Sequence, residues 1–368
     1  MSSLQVIPDG YKQTEVGSIP EDWDVKTFGQ VMNIRHGKDQ KSVQVTDGLY
    51  PIFGTGGQMG TTNTPLYDKP SVLIGRKGTI NKPRFMDTPF WTVDTLFYSE
   101  VSSKDSAKFI YYKFCMIDWM QYNESSGVPS LNASTIESVF NSFPKLEEQI
   151  AIANSLSDVD ALLSELEKLI AKKQAIKTAT MQQLLTGKTR LPQFATYTDG
   201  DKQGQTKGTQ PSELGEIPED WEVKTIGSVV SITTGSRNTQ DKLSNGLYPF
   251  FVRSQTIERI DTYSFDGEAV LTAGDGVGTG KIFHYINGKF DYHQRVYLMH
   301  NFGERIDGYY FYIYFSNFFY DRIMSMTAKS SVDSVRREMI ADMFITLPSK
   351  QEQTAIATIL IRTRSFGH

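Results

Sequence analysis

The chain has 368 residues, of which 39% are hydrophobic and 22% charged, with a formal net charge of −4 and a pI of about 5.8. This composition is typical of a globular protein that is long enough for two domains. It argues against a free-standing, non-specific nucleic-acid binder, which usually carries a basic surface. Cys115 is the only cysteine, which excludes an internal disulfide and predicts a reducing compartment.

The sequence shows no sign of membrane insertion. Its N-terminal stretch, MSSLQVIPDGYKQ, lacks the basic and apolar regions of a signal peptide. The most apolar run, residues 309–319, is too short to cross a bilayer and is flanked by charged residues. We therefore expect a cytoplasmic protein with no membrane partner.

The opening segment of the chain returns about 200 residues later. GSIPEDWDVKTFG (17–29) and GEIPEDWEVKTIG (215–227) are identical at ten of thirteen positions, at an offset of 198. The same offset carries GLYP at 48–51 onto 246–249, and an offset of 204 carries residues 144–153 onto 348–357. Three blocks in one order predict two copies of a domain-sized unit.

Between the shared ends, each copy is predicted to consist of strands and loops. SVLIGRKGTI (71–80) and AVLTAGDGVGTGKIF (269–283) are typical of strands that enter glycine turns, and residues 90–98 and 290–299 alternate as strands do. Aromatic stretches at 108–120 and 309–324 predict amphipathic helices. Because the ends are alike and the middles differ, we interpret the ends as a common frame. Drift in the loops is the alternative.

The first copy ends in the clearest helix of the chain. Pro144 stands at its start, and Glu147 and Glu148 lie in its first turn, where they favour the helix dipole. Gly187 predicts its end. About forty residues give a rod of roughly 60 Å. Its apolar positions follow the three- and four-residue steps of a coiled-coil seam: Ile152, Leu156, Val159, Leu163, Leu166, Ile170 and Ile176.

This seam requires a partner helix, unless the rod lies on the surface of its own domain. In the second copy the matching helix begins after Pro348 with Glu352, Gln353, Ile356 and Leu360, and the sequence stops at IRTRSFGH. A counterpart of residues 158–185 is missing. We expect the seam to be covered by self-association or by another chain; a weakened product of a shortened gene is the other outcome.

Catalytic motifs are missing from the sequence. GDGVGTGKI (274–282) departs from a phosphate-binding loop because Asp275 stands where glycine is required and Ile282 replaces Ser or Thr. The histidines show no metal-ligand spacing. We therefore predict no catalytic, cofactor-binding or metal residue, and favour a binding protein over a duplicated nucleotide- or ligand-binding enzyme.

The doubled IPEDW segment, glycine-rich middle and Pro-x-x-x-Glu-Gln helix resemble the specificity (S) subunits of type I restriction–modification systems. The resemblance implies an α+β fold with two pseudo-symmetric target recognition domains of mixed strands and short helices. Long coiled-coil spacer helices separate them, the distal one truncated. The implied domains are target recognition domain 1 (1–143), central spacer helix (144–190), linker (191–213), target recognition domain 2 (214–347) and truncated distal helix (348–368).

The resemblance also implies a non-catalytic subunit that recognises a bipartite target in double-stranded DNA. It would dock two methyltransferase (M) subunits and thereby the restriction/translocase (R) subunits. S-adenosylmethionine, ATP and Mg²⁺ are expected on those partners, and no cofactor is expected on this chain. The alternative in the same family is a DNA-binding or regulatory scaffold that no longer supports restriction.

Polar and cationic residues near the glycine turns are candidate DNA contacts, because lysine and arginine neutralise phosphates and arginine pairs with guanine. In the first copy they are Arg35, His36, Lys38, Arg76, Lys77, Lys82, Arg84, Ser130 and Asn132. In the second copy they are Arg237, Arg253, Lys281, His293, Arg295, Lys329, Arg336 and Arg337. For each one alone, a solvated surface charge is the alternative.

The remaining candidates belong to a subunit or coiled-coil interface. They are the seam residues together with the pairs Glu148/Gln149 and Glu352/Gln353, for which a purely structural role at the start of each helix is the alternative. We expect Trp23 and Trp221 to be core residues that seat the opening segments.

Overall fold

A computed structural model describes residues 7–326 and 334–364 of the chain. The chain divides into two compact units, unit 1 up to Lys168 and unit 2 from Leu169. Both units combine helices with strands. The predicted α+β class is therefore confirmed.

Unit 1 is built mainly of short strands. They are β1 (Tyr11–Thr14), β2 (Gly17–Pro20), β3 (Asp24–Thr27), β4 (Met32–His36), β5 (Gln44–Val45), β6 (Tyr50–Gly54), β7 (Gly57–Thr62), β8 (Ser71–Gly75), β9 (Arg84–Met86), β10 (Trp91–Thr92), β11 (Leu96–Val101) and β12 (Phe140–Phe143). Its helices are α1 (Phe28–Val31), α2 (Ala107–Cys115), α3 (Ala133–Ser138) and the start of α4 (Leu146–Leu185).

Two sheets and an aromatic core hold unit 1 together. Strands β4-β11-β8-β9 form an antiparallel sheet, and β10-β6-β7-β5 form a mixed sheet in which β10 runs parallel to β6. Helix α2 buries Phe109, Ile110 and Phe114 in the core, where the Phe28 and Phe114 ring centroids lie 4.8 Å apart. Strand β3 of the opening segment pairs with β12, directly before the long helix. The two repeated ends of the copy are thus joined in one ladder.

Unit 2 repeats this plan. Its strands are β13 (Thr209–Ser212), β14 (Gly215–Pro218), β15 (Glu222–Thr225), β16 (Ser231–Thr234), β17 (Tyr248–Phe251), β18 (Glu258–Ile260), β19 (Phe265–Ala273), β20 (Phe283–Tyr292), β21 (Val296–His300) and β22 (Phe344–Leu347). Its helices, besides the end of α4, are α5 (Pro192–Ala195), α6 (Ile226–Val229), α7 (Gly308–Ser325), α8 (Arg337–Ala341) and α9 (Lys350–Arg364).

One six-stranded sheet organises unit 2, in the order β16-β21-β19-β20-β17-β18, and β15 pairs with β22 as β3 pairs with β12. Helix α7 is buried on most sides, and Phe311, Phe315 and Phe319 stack along it at four-residue intervals. The last turn of α4 joins this core through Leu184 and Leu185. The helix predicted at 309–324 is confirmed.

Close backbone approach explains one glycine that the two units share. A Cβ atom at Gly37 would lie 2.0 Å from the carbonyl oxygen of Val93, and one at Gly235 would lie 2.1 Å from that of Tyr292. No side chain fits at such distances. The strands β4 and β16 therefore leave their sheets at the same point in both units, just before the candidate DNA-binding loops.

The helix predicted at 108–120 is shorter than expected. Helix α2 ends at Cys115, and a separate 3₁₀ turn covers Trp119–Tyr122. The Asp118 carboxylate accepts from the Met120 amide and starts this turn. Trp119 is fully buried and donates to the Phe114 carbonyl at 2.9 Å, so seating the indole requires the chain to leave the helical path.

Helix α4 runs for 40 residues, as predicted. At about 1.5 Å per residue its length is roughly 60 Å. Glu147 and Glu148 lie in its first turn. Gly187 follows its last turn with φ of 72°, a conformation that favours glycine. A Cβ atom there would lie 2.4 Å from Cδ of Pro218.

Candidate nucleic-acid interface

Three charged residues meet at the loop ends of the unit 2 sheet. Arg253 follows β17, Asp275 follows β19, and Arg295 precedes β21. The Asp275 carboxylate accepts from Nη1 of Arg253 at 2.8 Å and from Nη1 of Arg295 at 2.7 Å. Burial alone would raise the pKa of Asp275, but the hydrogen bonds from the two arginines lower it overall. The carboxylate is therefore ionised at neutral pH.

Two further predicted residues lie beside this group. Arg237 donates from Nε to the fully buried carboxylate of Asp291 at 3.1 Å, and its backbone bridges to that of His293. The buried His293 ring accepts from the Arg295 amide through Nδ1. Burial, followed by the charge of Arg253, lowers the pKa of His293, so its imidazole is neutral at pH 7. The structure thus brings Arg237, Arg253, His293 and Arg295 together.

The other candidates of the second copy are more dispersed. Arg336 is exposed directly after Val335, whose amide donates to the Gly274 carbonyl at 2.7 Å, which places it next to the Asp275 loop. Arg337 is the exposed first residue of α8. The Lys281 ammonium lies 5.0 Å from the Tyr320 ring centroid, in a cleft that Lys177 also lines. Lys329 lies outside the described residues.

Unit 1 has a matching group at its loop ends. The Arg76 amide donates to the Thr95 carbonyl at 2.8 Å, and the backbone of Lys77 bridges to that of Ser130. The Arg84 guanidinium lies beside Gly57. A Cβ atom added at Gly57 would lie 3.3 Å from Nη1 of Arg84. Among the residues that the structure describes, Lys77 and Arg84 form no ion pair.

The remaining candidates of the first copy lie around this group. Arg35 forms an ion pair with Glu100 at 2.8 Å, and the exposed His36 packs edge-on against Phe97. Lys38 is exposed, and its backbone holds the Trp91 indole through a 3.0 Å hydrogen bond. Lys82 is an exposed loop residue. The Asn132 side chain donates to Glu124, which reduces its freedom to contact DNA.

The Glu-Gln pairs serve the frame of each unit. Gln149 accepts from the Ser106 amide at 2.9 Å and donates to the Pro144 carbonyl at 2.9 Å; Gln353 accepts from the Asp307 amide at 2.9 Å and donates to the Pro348 carbonyl at 2.8 Å. Both glutamines are buried. Each one therefore fastens the start of its helix to the start of another helix.

The glutamates of these pairs hold the repeated tryptophans. Glu148 accepts from the Trp23 indole at 3.3 Å, and Glu352 accepts from the Trp221 indole at 3.1 Å. Trp221 is buried, as predicted, whereas Trp23 is only partly buried. Glu352 is also buried, and only Glu148 is exposed.

The seam predicted for the long helix is largely exposed. Six of its predicted residues are between 41% and 68% exposed: Leu156, Val159, Leu163, Leu166, Ile170 and Ile176. Ile152 is partly buried against the unit 1 core, and Ile356 and Leu360 are buried in the unit 2 core. Five of the predicted interface residues are therefore already covered within the chain and offer no surface to a partner: Gln149, Glu352, Gln353, Ile356 and Leu360.

Two polar contacts of unit 2 are not evident from the sequence. In the sequence Asp275 is marked only by the glycines on both sides of it, and the two arginines that it contacts lie 22 and 20 positions away. The second contact is that of Arg190. Its guanidinium bonds both Glu352 and Asp220, with Nε 3.0 Å from Glu352 and Nη1 2.7 Å from Asp220. Nothing in the sequence near Arg190 indicated this pairing.

The described part of the chain offers no group of three or more His, Cys, Asp or Glu side chains arranged to hold a metal ion. Within residues 7–326 and 334–364, none of the helices combines the length and hydropathy needed to span a bilayer. In the glycine loop after β19, the Asp275 carboxylate accepts hydrogen bonds from two arginines. This acidic side chain stands where a phosphate-binding loop has glycine.

The curated relatives of this chain include specificity subunits of type I restriction enzymes. A type I restriction enzyme specificity subunit from Methanocaldococcus jannaschii, MjaVIII, is 25% identical over 95% of this chain and 88% of its own length. The EcoDI specificity subunit of Escherichia coli is 29% identical over 39% of this chain, a match that spans only 31% of that protein.

Solved structures support the fold. The S subunit of a type I restriction–modification system from M. genitalium covers 93% of this chain and 89% of its own, with a TM-score of 0.61 and 15% identity. A chain from a study of assembly and conformational transition in the type I R-M system covers 94% of this chain and 91% of its own, with a TM-score of 0.51 and 12% identity.

The family comparison covers both units. The sequence model of the type I restriction modification DNA specificity domain matches residues 20–178 and again residues 218–364. These two matches coincide with the two copies found in the sequence and leave only the ends and the linker region unmatched. The chain therefore belongs to the type I restriction–modification DNA specificity family, as a specificity component and not as a catalytic subunit.

Proposed function

We propose that this chain recognises a bipartite target in double-stranded DNA, with one part of the target read by the loop ends of each unit. The supporting observation is that one backbone arrangement recurs at these loop ends with different side chains. Arg76 and Gly274 donate to equivalent carbonyls, and Lys77 and Asp275 bridge to equivalent serines. A shared frame with different charges suits two sites that read different bases.

The proposed target recognition domains are residues 1–143 and 214–347, and residues 144–190 form the spacer between them. The acidic composition of the chain is compatible with this proposal because the cations lie at the loop ends, and partner subunits would supply further phosphate contacts.

The exposed seam of α4 is the proposed docking surface for two methyltransferase subunits, through which restriction/translocase subunits would join. Burying a valine, leucine or isoleucine stabilises a complex by about 1.5–3 kcal/mol relative to leaving it exposed. Six such residues therefore give a strong drive to find a partner. S-adenosylmethionine would be bound by the methyltransferase subunits, and ATP and Mg²⁺ by the partner complex.

The recognition step is tested in cells that lack other adenine methylation and express this chain with its methyltransferase subunits. Methylation-aware sequencing should yield one motif in two parts separated by a fixed gap. Arg76→Ala should reduce base discrimination in one part of the motif, and Arg253→Ala should reduce it in the other part. A contiguous motif, or one changed at both parts by each variant, would contradict the proposal. A two-part motif without restriction would identify the non-restricting scaffold instead.

The docking step is tested by placing a charge on the seam. Leu163→Asp should reduce co-purification of the methyltransferase subunits, because a carboxylate cannot be buried there without a partner. Ser164→Asp adds the same charge at the neighbouring exposed position and is the matched control. Light scattering of the chain alone would show self-association if a second copy covers the seam. Equal binding by both variants would contradict docking at this surface.

A further inference from the structure

The loop ends of unit 2 contain an acidic residue where a DNA-binding surface needs cations. Asp275 holds Nη1 of Arg253 at 2.8 Å and Nη1 of Arg295 at 2.7 Å. The Asp275 side chain is 15% exposed, whereas those of Arg253 and Arg295 are 41% and 62% exposed. A molecule that approaches these loops therefore meets the two guanidiniums before it meets the carboxylate, and the group of three keeps a net positive charge.

Each arginine keeps one edge of its guanidinium free. Both use Nη1 to bind Asp275, and within the described residues neither guanidinium makes another hydrogen bond. The N–H groups on Nε and Nη2 remain, and they form a pair of parallel donors. Guanine presents two acceptors, N7 and O6, side by side in the major groove, which is the pattern that such a pair binds.

The main chain that carries this carboxylate is held by backbone hydrogen bonds. The Gly274 amide donates to the Arg295 carbonyl at 2.8 Å, and the backbone of Asp275 bridges to that of Ser334. Gly276 follows with φ of 90°, a turn that favours glycine. The loop thus fixes Asp275, and Asp275 fixes two otherwise flexible side chains before any ligand arrives. Such preorganisation reduces the entropy that binding would cost.

A stabilising ion pair is the simpler interpretation of this group. Exposed ion pairs contribute little to folding stability, so stability alone gives a weak reason for one acid to hold two arginines at a loop tip. In unit 1 the equivalent position is Lys77, which forms no ion pair among the described residues. The Asp275 arrangement is therefore not needed by the shared frame.

We infer that Arg253 and Arg295 form a fork that reads guanine in one part of the DNA target, and that Asp275 is the positioning residue of this fork. The inference rests on the proposed function, because it names the base that unit 2 reads. It predicts that guanine recognition depends on the shape of the guanidinium, and not only on its charge.

The test uses the full chain with its methyltransferase subunits and reads the methylated motif by sequencing. Arg253→Lys and Arg295→Lys keep the charge but remove the paired donors, so each should reduce discrimination at a G·C pair by about 5- to 150-fold. Asp275→Asn should reduce discrimination at the same G·C pairs to a smaller extent. The other part of the motif should not change. Lys224→Ala, at a half-exposed cation on β15 that pairs with Glu222, is the control and should leave both parts unchanged.

The outcomes distinguish failure of the arginine fork from failure of the proposed function. If the native chain gives no two-part motif, the proposed function fails. If it gives one and both lysine variants keep full discrimination at every G·C pair, the fork fails and the proposed function stands. If the lysine variants relax the motif and Asp275→Asn does not, the positioning role is overturned. Hydrogen exchange of unit 2 identifies a variant that is misfolded; because the lysine variants preserve charge, they keep the test open should Asp275→Asn unfold.

Discussion

The two units place opposite charges at the same point of the same backbone. In unit 1, Lys77 bridges to Ser130 and forms no ion pair in the described part of the chain; in unit 2, Asp275 bridges to Ser334 and holds Arg253 and Arg295. Two backbone bonds around them also correspond, because the residues that precede them, Arg76 and Gly274, each donate to one neighbouring loop and accept from another. The frame therefore fixes where the loop ends lie, while single side chains decide which charges they present.

The polar contacts at the starts of α4 and α9 give a second comparison. They lie at the surface in unit 1 and in the interior in unit 2. In both units a glutamate receives the indole N–H of the repeated tryptophan. In unit 2, Arg190 also binds Glu352, and the side chains are 8% and 1% exposed. In unit 1 the matching Glu148 is exposed, and among the described residues it has no cation partner. The same motif is therefore a buried ionic network in one unit and a surface hydrogen bond in the other.

The largest expected effect comes from breaking that network. Arg190→Met should destabilise unit 2 by about 3–5 kcal/mol, because it leaves the Glu352 carboxylate buried without its cation. Urea unfolding, followed by hydrogen exchange of peptides from unit 2, measures this loss. Lys188→Met changes an exposed lysine in the same segment and should cost less than 1 kcal/mol. Equal costs for the two variants would contradict the burial argument.

Removing the repeated glutamines should have the same effect on the stability of both units. Gln149 and Gln353 are both buried, and each accepts from the backbone amide at the start of a helix and donates to the carbonyl of the preceding proline. Gln149→Ala and Gln353→Ala should therefore each cost about 1–3 kcal/mol, the penalty for leaving buried backbone groups unpaired. Hydrogen exchange of each unit separately measures the two values. A cost confined to one unit would show that the repeated glutamine does not have a common role.

These contacts also show what the sequence could reveal. The duplication predicted two α+β units, and the heptad pattern and Gly187 predicted a helix that the structure places at residues 146–185. Those features depend on local periodicity and on repetition within one chain. The pairing of Arg190 with Glu352 joins residues 162 positions apart, and the fork at Asp275 joins three separate loops. Such contacts depend on the folded sheet and carry no local pattern.

Acid should weaken unit 2 through Asp220, with a smaller effect. Burial would raise the pKa of Asp220, but hydrogen bonds from Lys207 and Arg190 lower it overall. The stabilisation is therefore present above the unfolded pKa of about 3.9 and is lost as pH falls through the lower folded value. Urea midpoints between pH 7 and pH 3 should fall less steeply for Asp220→Asn than for the native chain. Asp22→Asn, at the exposed equivalent in unit 1, is the control and should not change the slope.

The smallest expected effect concerns the salt dependence of DNA binding and returns to the loop ends. Lys77 is exposed and forms no ion pair among the described residues, so it is free to neutralise a phosphate. Lys77→Ala should weaken binding of the methyltransferase complex to all duplexes alike and reduce the salt slope by about one. Titrations of a target and a scrambled duplex at several salt concentrations measure both quantities. Loss of binding only on the target would instead make Lys77 a base-reading residue, and unit 1 would then resemble unit 2 in using its loop-end charge for specificity.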